Sequence, residues 1–159
     1  MKNIRIFTPS ELSLFCQSPV AAWWNELDRR KLFKGEKPAP DPLNEILKKE
    51  GIRHEDELIK KLKFKNFQVK RLRGKQEESD YKERMNAMIH GFDFIHQASL
   101  NNGEIRGSAD LLKRVDTPSK LGPFSYIPIE CKLASHVNIK FLIQALCYCE
   151  LLTEVLGNR

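Results

Sequence analysis

Apolar positions recur along this chain with two different periods, and the switches between them mark out its elements. Thr8-Pro9-Ser10-Glu11 reads as a helix start: Thr8 supplies the N-cap oxygen, Pro9 suits the first helical position, and Glu11 completes a capping box. The segment from there to Asp28 is apolar and aromatic, with Leu12, Phe15, Trp23 and Trp24. Ser18-Pro19 divides it into two short helices, because the residue before a proline is pushed out of helical conformation. Residues 34–42 hold three prolines and read as a loop. Asp41-Pro42 opens a second helical region running to about Lys63, with Leu47, Gly51, Leu58 and Leu62 along one direction. Glu55 falls on that apolar stripe and His54 at its margin, and a carboxylate there is costly unless something pairs with it. Residues 79–90 predict a helix with Gly91 as its cap. The period then shortens: 92–100 and 104–115 read as strands joined by the Asn101-Asn102-Gly103 turn, where Asn and Gly tolerate positive φ. A loop over 116–123, a third strand over 124–132 and a long helix over 138–156, capped by Gly157, complete the chain. The order of elements predicts an α/β (α+β) domain.

Composition narrows the class. The 159 residues carry 27 Lys+Arg against 21 Asp+Glu, a net charge of +6, and the length predicts one domain, with a helical segment over 1–33 and the main body over 41–159. No apolar run approaches the roughly 18 residues of a membrane helix. The first residues show neither a continuous apolar stretch nor a small-residue cleavage site, which argues against secretion. Cys16, Cys131, Cys147 and Cys149 form no C-x-x-C pair and are expected to be reduced, buried or half-buried thiols of a cytoplasmic protein. Residues 60–75 hold eight Lys/Arg and no acid. They read either as a solvated helix end and edge strand or as a ridge tracking phosphates, built from Lys61, Lys63, Lys65, Lys70, Arg71, Arg73 and Lys75.

Three residues stand where a solvated-surface account does not put them. Asp110 follows Gly107-Ser108-Ala109 and precedes Leu111-Leu112, and Glu130 lies between Ile129 and Cys131 in an apolar strand. Strand alternation sends Glu130 and Lys132 to one face, with Ile129, Cys131 and Leu133 on the other. Two carboxylates from neighbouring strands repel each other, and a divalent cation is the common remedy. Oxygen ligands without a His/Cys cluster favour Mg²⁺ or Mn²⁺ over zinc. A lysine beside such a metal fits phosphodiester hydrolysis, orienting the attacking water or stabilising developing charge. The competing reading is a plain Glu130–Lys132 pair on a half-exposed strand. His90 reads as structural, His96, in a strand beside Gln97, as either structural or facing the active-site side, His136 as a loop residue able to touch DNA, and Trp23 and Trp24 as one core and one surface residue.

Taken in order, the motifs resemble the PD-(D/E)XK nuclease superfamily, and within it the RecB-like nucleases often fused to helicase or RNase-H-like domains. The match rests on Gly51-Ile52-Arg53-His54-Glu55, Ala87-Met88 with Gly91, Ile95, Gln97 and Ala98, Gly107 with Asp110 and Leu112, Glu130-Cys131-Lys132-Leu133-Ala134, and Gln144 with Tyr148. Ala109 stands where the superfamily usually has proline. The resemblance implies a restriction-endonuclease-like core in which Asp110, Glu130 and the Cys131 backbone carbonyl hold Mg²⁺ or Mn²⁺, with Glu55 or His54 as the helix-borne ligand. Lys132 would serve the attacking water, and Gln144 and Tyr148, one turn apart, would lean over the site. An iron–sulfur cluster is not expected, since Cys147 and Cys149 lie inside the last helix and no cysteine follows them. Family members continue into a further core strand beyond the position of Gly157, so the resemblance implies an open sheet edge. A second copy could cover it, with contacts from Phe141, Leu142, Leu146, Leu151 and Leu152. The implied activity is metal-dependent hydrolysis of single- or double-stranded DNA in repair, recombination or defence. The alternative is a catalytically silent nucleic-acid-binding or assembly module of a helicase-linked complex.

Overall fold

The structure, a computed structural model, describes residues 5–32, 39, 41–75, 77–132, 136 and 138–157. Two short helices come first, α1 (Pro9–Gln17) and α2 (Pro19–Arg29). Thr8 Oγ1 accepts from Glu11 N, and the Glu11 carboxylate accepts from Thr8 N at 2.8 Å, which is the reciprocal cap the sequence predicts. Ser18 ends α1 in an extended conformation and caps α2 by accepting from Ala21 N. The loop expected over 34–42 falls mostly outside the described residues. Asp41 caps α3 (Pro42–Phe64), and β1 (Val69–Arg71), α4 (Glu78–Ile89), β2 (Phe94–Asn101), β3 (Arg106–Val115), β4 (Ser125–Ile129) and α5 (Ile139–Leu156) follow.

The four strands form one mixed sheet in the order β1-β2-β3-β4, with β1 parallel to β2 and the other pairs antiparallel. The fold is therefore α+β, as the order of elements predicts. The β2–β3 hairpin turns on the predicted residues: Asn102 Oδ1 accepts from Glu104 N and Ile105 N, and Gly103 takes φ +87°.

Helices cover both faces of the sheet. On one, Ile95, Leu100 and Leu112 meet Met88 of α4 and Leu151 and Leu152 of α5 in the main core. On the other, Ile59 of α3 packs against Phe94 and Leu111, with Leu58, Leu62, Val69, Ile129 and Cys131 half-buried around them. α1 lies along α5, where Ser13 Oγ donates to Lys140 O at 3.4 Å. The start of α1 and the middle of α5 press onto β3 at Gly107: a Cβ there would stand 3.0 Å from both Pro9 and Tyr148.

Several expectations change. On α3 the buried residue is Ile59, not Leu47, which is 53% exposed, because the helix meets the sheet only along its second half. Trp23 and Trp24 are both exposed, so neither is core. Leu151 and Leu152 are buried inside the main core and are not available to a second copy; Leu142 and Leu146 are exposed. Of the cysteines, Cys147 is buried and Cys131 half-buried, but Cys16 and Cys149 are exposed. Among the described residues no helix is long and apolar enough to cross a membrane.

Candidate active site

The site grows from a shared irregularity in β2 and β3. In β2, Phe94 faces α3 and Ile95 faces α4 and α5, as alternation requires. Ala98 and Leu100 nevertheless belong with Ile95, so the alternation slips by one residue between them. β3 slips likewise: Leu112 and Ala109 share the main core while Leu111 faces α3. The two slips lie opposite one another, at Gln97 and Asp110, between the pairs His96↔Leu111 and Ala98↔Ala109. Gln97 takes φ +57°, a left-handed conformation that costs a non-glycine residue about 1–3 kcal/mol.

At Asp110 this kink ends the neighbouring ladder. The β3–β4 register would continue with Asp110 opposite Glu130, yet β4 stops at Ile129. Asp110 Oδ2 accepts the Cys131 backbone N–H at 2.9 Å, taking a donor that a continuing strand would give to a main-chain carbonyl. The expected strand over 124–132 is therefore shorter, and Glu130 and Lys132 lie just past its end. They still turn to the same place. Lys132 Nζ donates to Asp110 Oδ2 at 2.9 Å and lies 2.8 Å from Glu130 Oε2. Burial pushes the Glu130 carboxyl above the ordinary range, and the pull of Lys132 only partly offsets it. Lys132 loses some charge preference to burial, but its bonds to Glu130 and Asp110 outweigh that and raise it. Burial and the nearby carboxylates of Asp110 and Glu55 push the Cys131 thiol up to about 12, so it is no nucleophile at neutral pH.

Glu55 reaches this centre from α3, within electrostatic range of Glu130 and Lys132. The pairing that its place on a helix stripe demands comes from β2: His96 Nε2 and Gln97 Nε2 each lie 3.0 Å from Glu55 Oε2. The bond to His96, helped by Gln97, holds the Glu55 carboxyl below its ordinary range. Gln97 stands in a motif that carries the family resemblance, but the sequence marks neither residue as a partner of Glu55. A histidine at alternating strand spacing looks structural, and no local signal marks a glutamine with positive φ.

The remaining predicted residues separate. His54 is exposed, so of the two helix-borne candidates Glu55 is the one the fold brings to the carboxylates. Gln144 turns away and donates to Ser10 Oγ of α1 at 3.1 Å. Tyr148 stays close: its hydroxyl donates to Ser108 O at 2.8 Å, and burial, then Glu130 and Asp110, push its pKa up, which keeps it protonated. Lys70 pairs with Glu83 and Arg71 with Asp56, each at 2.7 Å, whereas Lys61, Lys63, Lys65, Arg73, Lys75 and His136 are exposed. Leu133 and Ala134 lie outside the described residues.

Among the described residues no three His, Cys, Asp or Glu side chains stand together as a cage for a metal ion. The donor chemistry nevertheless fits a hard divalent cation. Asp110 and Glu130 already share one positive point charge, the Lys132 ammonium, and Mg²⁺ is commonly held by one or two carboxylates with water and phosphate completing its sphere. No protein-family model, curated protein or solved structure matches this chain.

Proposed function

We propose that this chain is a metal-dependent nuclease of restriction-endonuclease-like fold that hydrolyses DNA phosphodiester bonds, working in the cytoplasm in repair, recombination or defence. The observation that carries the reading is the convergence of Asp110, Glu130 and Lys132 within 2.8–2.9 Å contacts, with Glu55 in electrostatic reach. The order of the motifs along the sequence supports it independently. Asp110 and Glu130 would hold Mg²⁺ or Mn²⁺, which supplies charge neutralisation at the phosphate and an acidified water. With a metal on the carboxylates, the Lys132 ammonium would be available to donate to a phosphate oxygen or to orient the attacking water. The exposed Lys61, Lys63 and Lys65 at the end of α3 suit contact with the phosphate backbone, which positions a strand without reading its bases.

A second reading has its own observation. Lys132 closes on both carboxylates, an arrangement that also suits a nucleic-acid-binding module without turnover. Cleavage of labelled linear and circular DNA, single- and double-stranded, separates the two. With Mg²⁺ or Mn²⁺ present we expect cutting that EDTA abolishes and that Lys132→Ala lowers roughly a hundredfold or more. Lys82→Ala, on the exposed side of α4, should cut as the wild type does. Folded protein that retains DNA in a gel shift but cuts nothing would favour the silent module.

A further inference from the structure

Glu55 is the member of the site that strand geometry does not place, and two consecutive residues of β2 hold it. In a regular strand His96 and Gln97 would point to opposite faces of the sheet. Here both reach the same oxygen, Glu55 Oε2, at 3.0 Å. The left-handed backbone at Gln97, φ +57°, makes this convergence geometrically available. Glutamine has no intrinsic preference for that conformation, so the surrounding contacts must enforce it. Gly74 supplies one of them: its Cα lies so near that a Cβ there would stand 3.0 Å from Gln97 Oε1. His96 is itself more than nine-tenths buried, and its Nδ1 has no hydrogen-bond partner among the described residues. An ionised Glu55 can only accept, so His96 Nε2 carries a hydrogen and donates it to that carboxylate.

We propose that the strained turn at Gln97 is a positioning device. It uses backbone strain to aim His96 and Gln97 at one oxygen of Glu55, so that Oε1, which accepts from neither, would be left to a metal ion held beside Glu130. His96 and Gln97 are thus positioning residues that act through Glu55, an inference that rests on the nuclease reading above. Partners that orient a metal-ligating side chain commonly change metal affinity 10- to 100-fold when removed.

The test is Gln97→Gly, because glycine adopts positive φ without strain yet lacks the amide. Mn²⁺ affinity is measured by titration calorimetry and the melting temperature in the absence of metal, for wild type, Gln97→Gly, His96→Leu, His96→Gln and Asp110→Ala. We expect Gln97→Gly to melt at or above the wild-type temperature while binding Mn²⁺ about tenfold more weakly. His96→Leu should weaken binding likewise, and His96→Gln, which restores a donor, should recover part of it. A purely structural role for the turn would move affinity and melting temperature together. Wild-type affinity in folded Gln97→Gly, with binding lost in Asp110→Ala, would overturn the positioning proposal and leave the nuclease reading standing. Absence of Mn²⁺ binding by the wild type itself would overturn both.

Discussion

The two faces of the sheet bury different things. Against α4 and α5 the described residues form a core of thirteen buried side chains, with Met88, Ile95, Leu100 and Leu112 entirely without exposed surface. Against α3 only Ile59, Phe94 and Leu111 are buried in this way, and polar groups gather beside them: Glu55 from the helix and His96 from the strand. The first face is close-packed and largely apolar; the second is thin and carries the Glu55–His96 pair. The difference teaches where stability and function are separated in this molecule. Tight packing on one side lets the other tolerate a left-handed Gln97, a truncated β4 and a desolvated Glu130, each of which lowers stability.

The contrast can be broken most directly in the dense face. Leu112→Ala removes a fully buried side chain that its neighbours cannot collapse upon, and chemical denaturation should show a loss of about 3–4 kcal/mol. Ile59→Ala should cost about 2 kcal/mol, because its surroundings are half-buried and water enters part of the space. Equal losses would mean that α3 is as firmly packed as α5.

A smaller effect sharpens the electrostatic side. Glu130 is raised in the folded state, so the folded chain keeps this proton to higher pH than the unfolded chain. Its contribution to stability is present below about pH 4.5 and fades as pH rises through the raised value. Glu130→Gln should therefore gain on the wild type, without metal, as pH rises above 4.5. Glu55, lowered mainly by its bond to His96, behaves oppositely: its contribution is present above pH 4.5 and is lost as pH falls through the lowered value. Glu55→Gln should thus lose stability where Glu130→Gln gains it. Denaturation curves across this range that moved the same way for both would refute the assignment. At the small end, Leu47→Ala on the exposed half of α3 should change stability by less than about 0.5 kcal/mol.

What the sequence disclosed was local. Thr8 with Glu11 and Asp41 open their helices through contacts that reach no further than three residues, Ser18-Pro19 parts α1 from α2, and the Asn101–Gly103 turn is equally short-range. The meeting of Asp110, Glu130 and Lys132 was legible too, because strand alternation and the neighbouring register suffice to bring them together. The end of β4 was not, since it depends on a side chain of another strand capturing the Cys131 N–H. Nor was the partnership of Glu55 with His96 and Gln97, which joins residues more than forty positions apart through a backbone conformation that neither prefers. Burial on α3 was misjudged for a related reason: its periodicity runs the length of the helix, but the sheet meets only the second half.

That uneven docking of α3 has a consequence in time. The turns between Leu43 and Ile52 keep their hydrogen bonds by helix propensity and by the Asp41 cap, with Leu43, Ile46, Leu47 and Ile52 facing solvent. Isolated turns of this length are marginal in water, so their amides open by fraying at little free-energy cost. Around Ile59 the same helix cannot open without uncovering Phe94 and Leu111. Amide exchange should therefore run fast at one end of α3 and slow at the other, so that a single helix keeps two clocks.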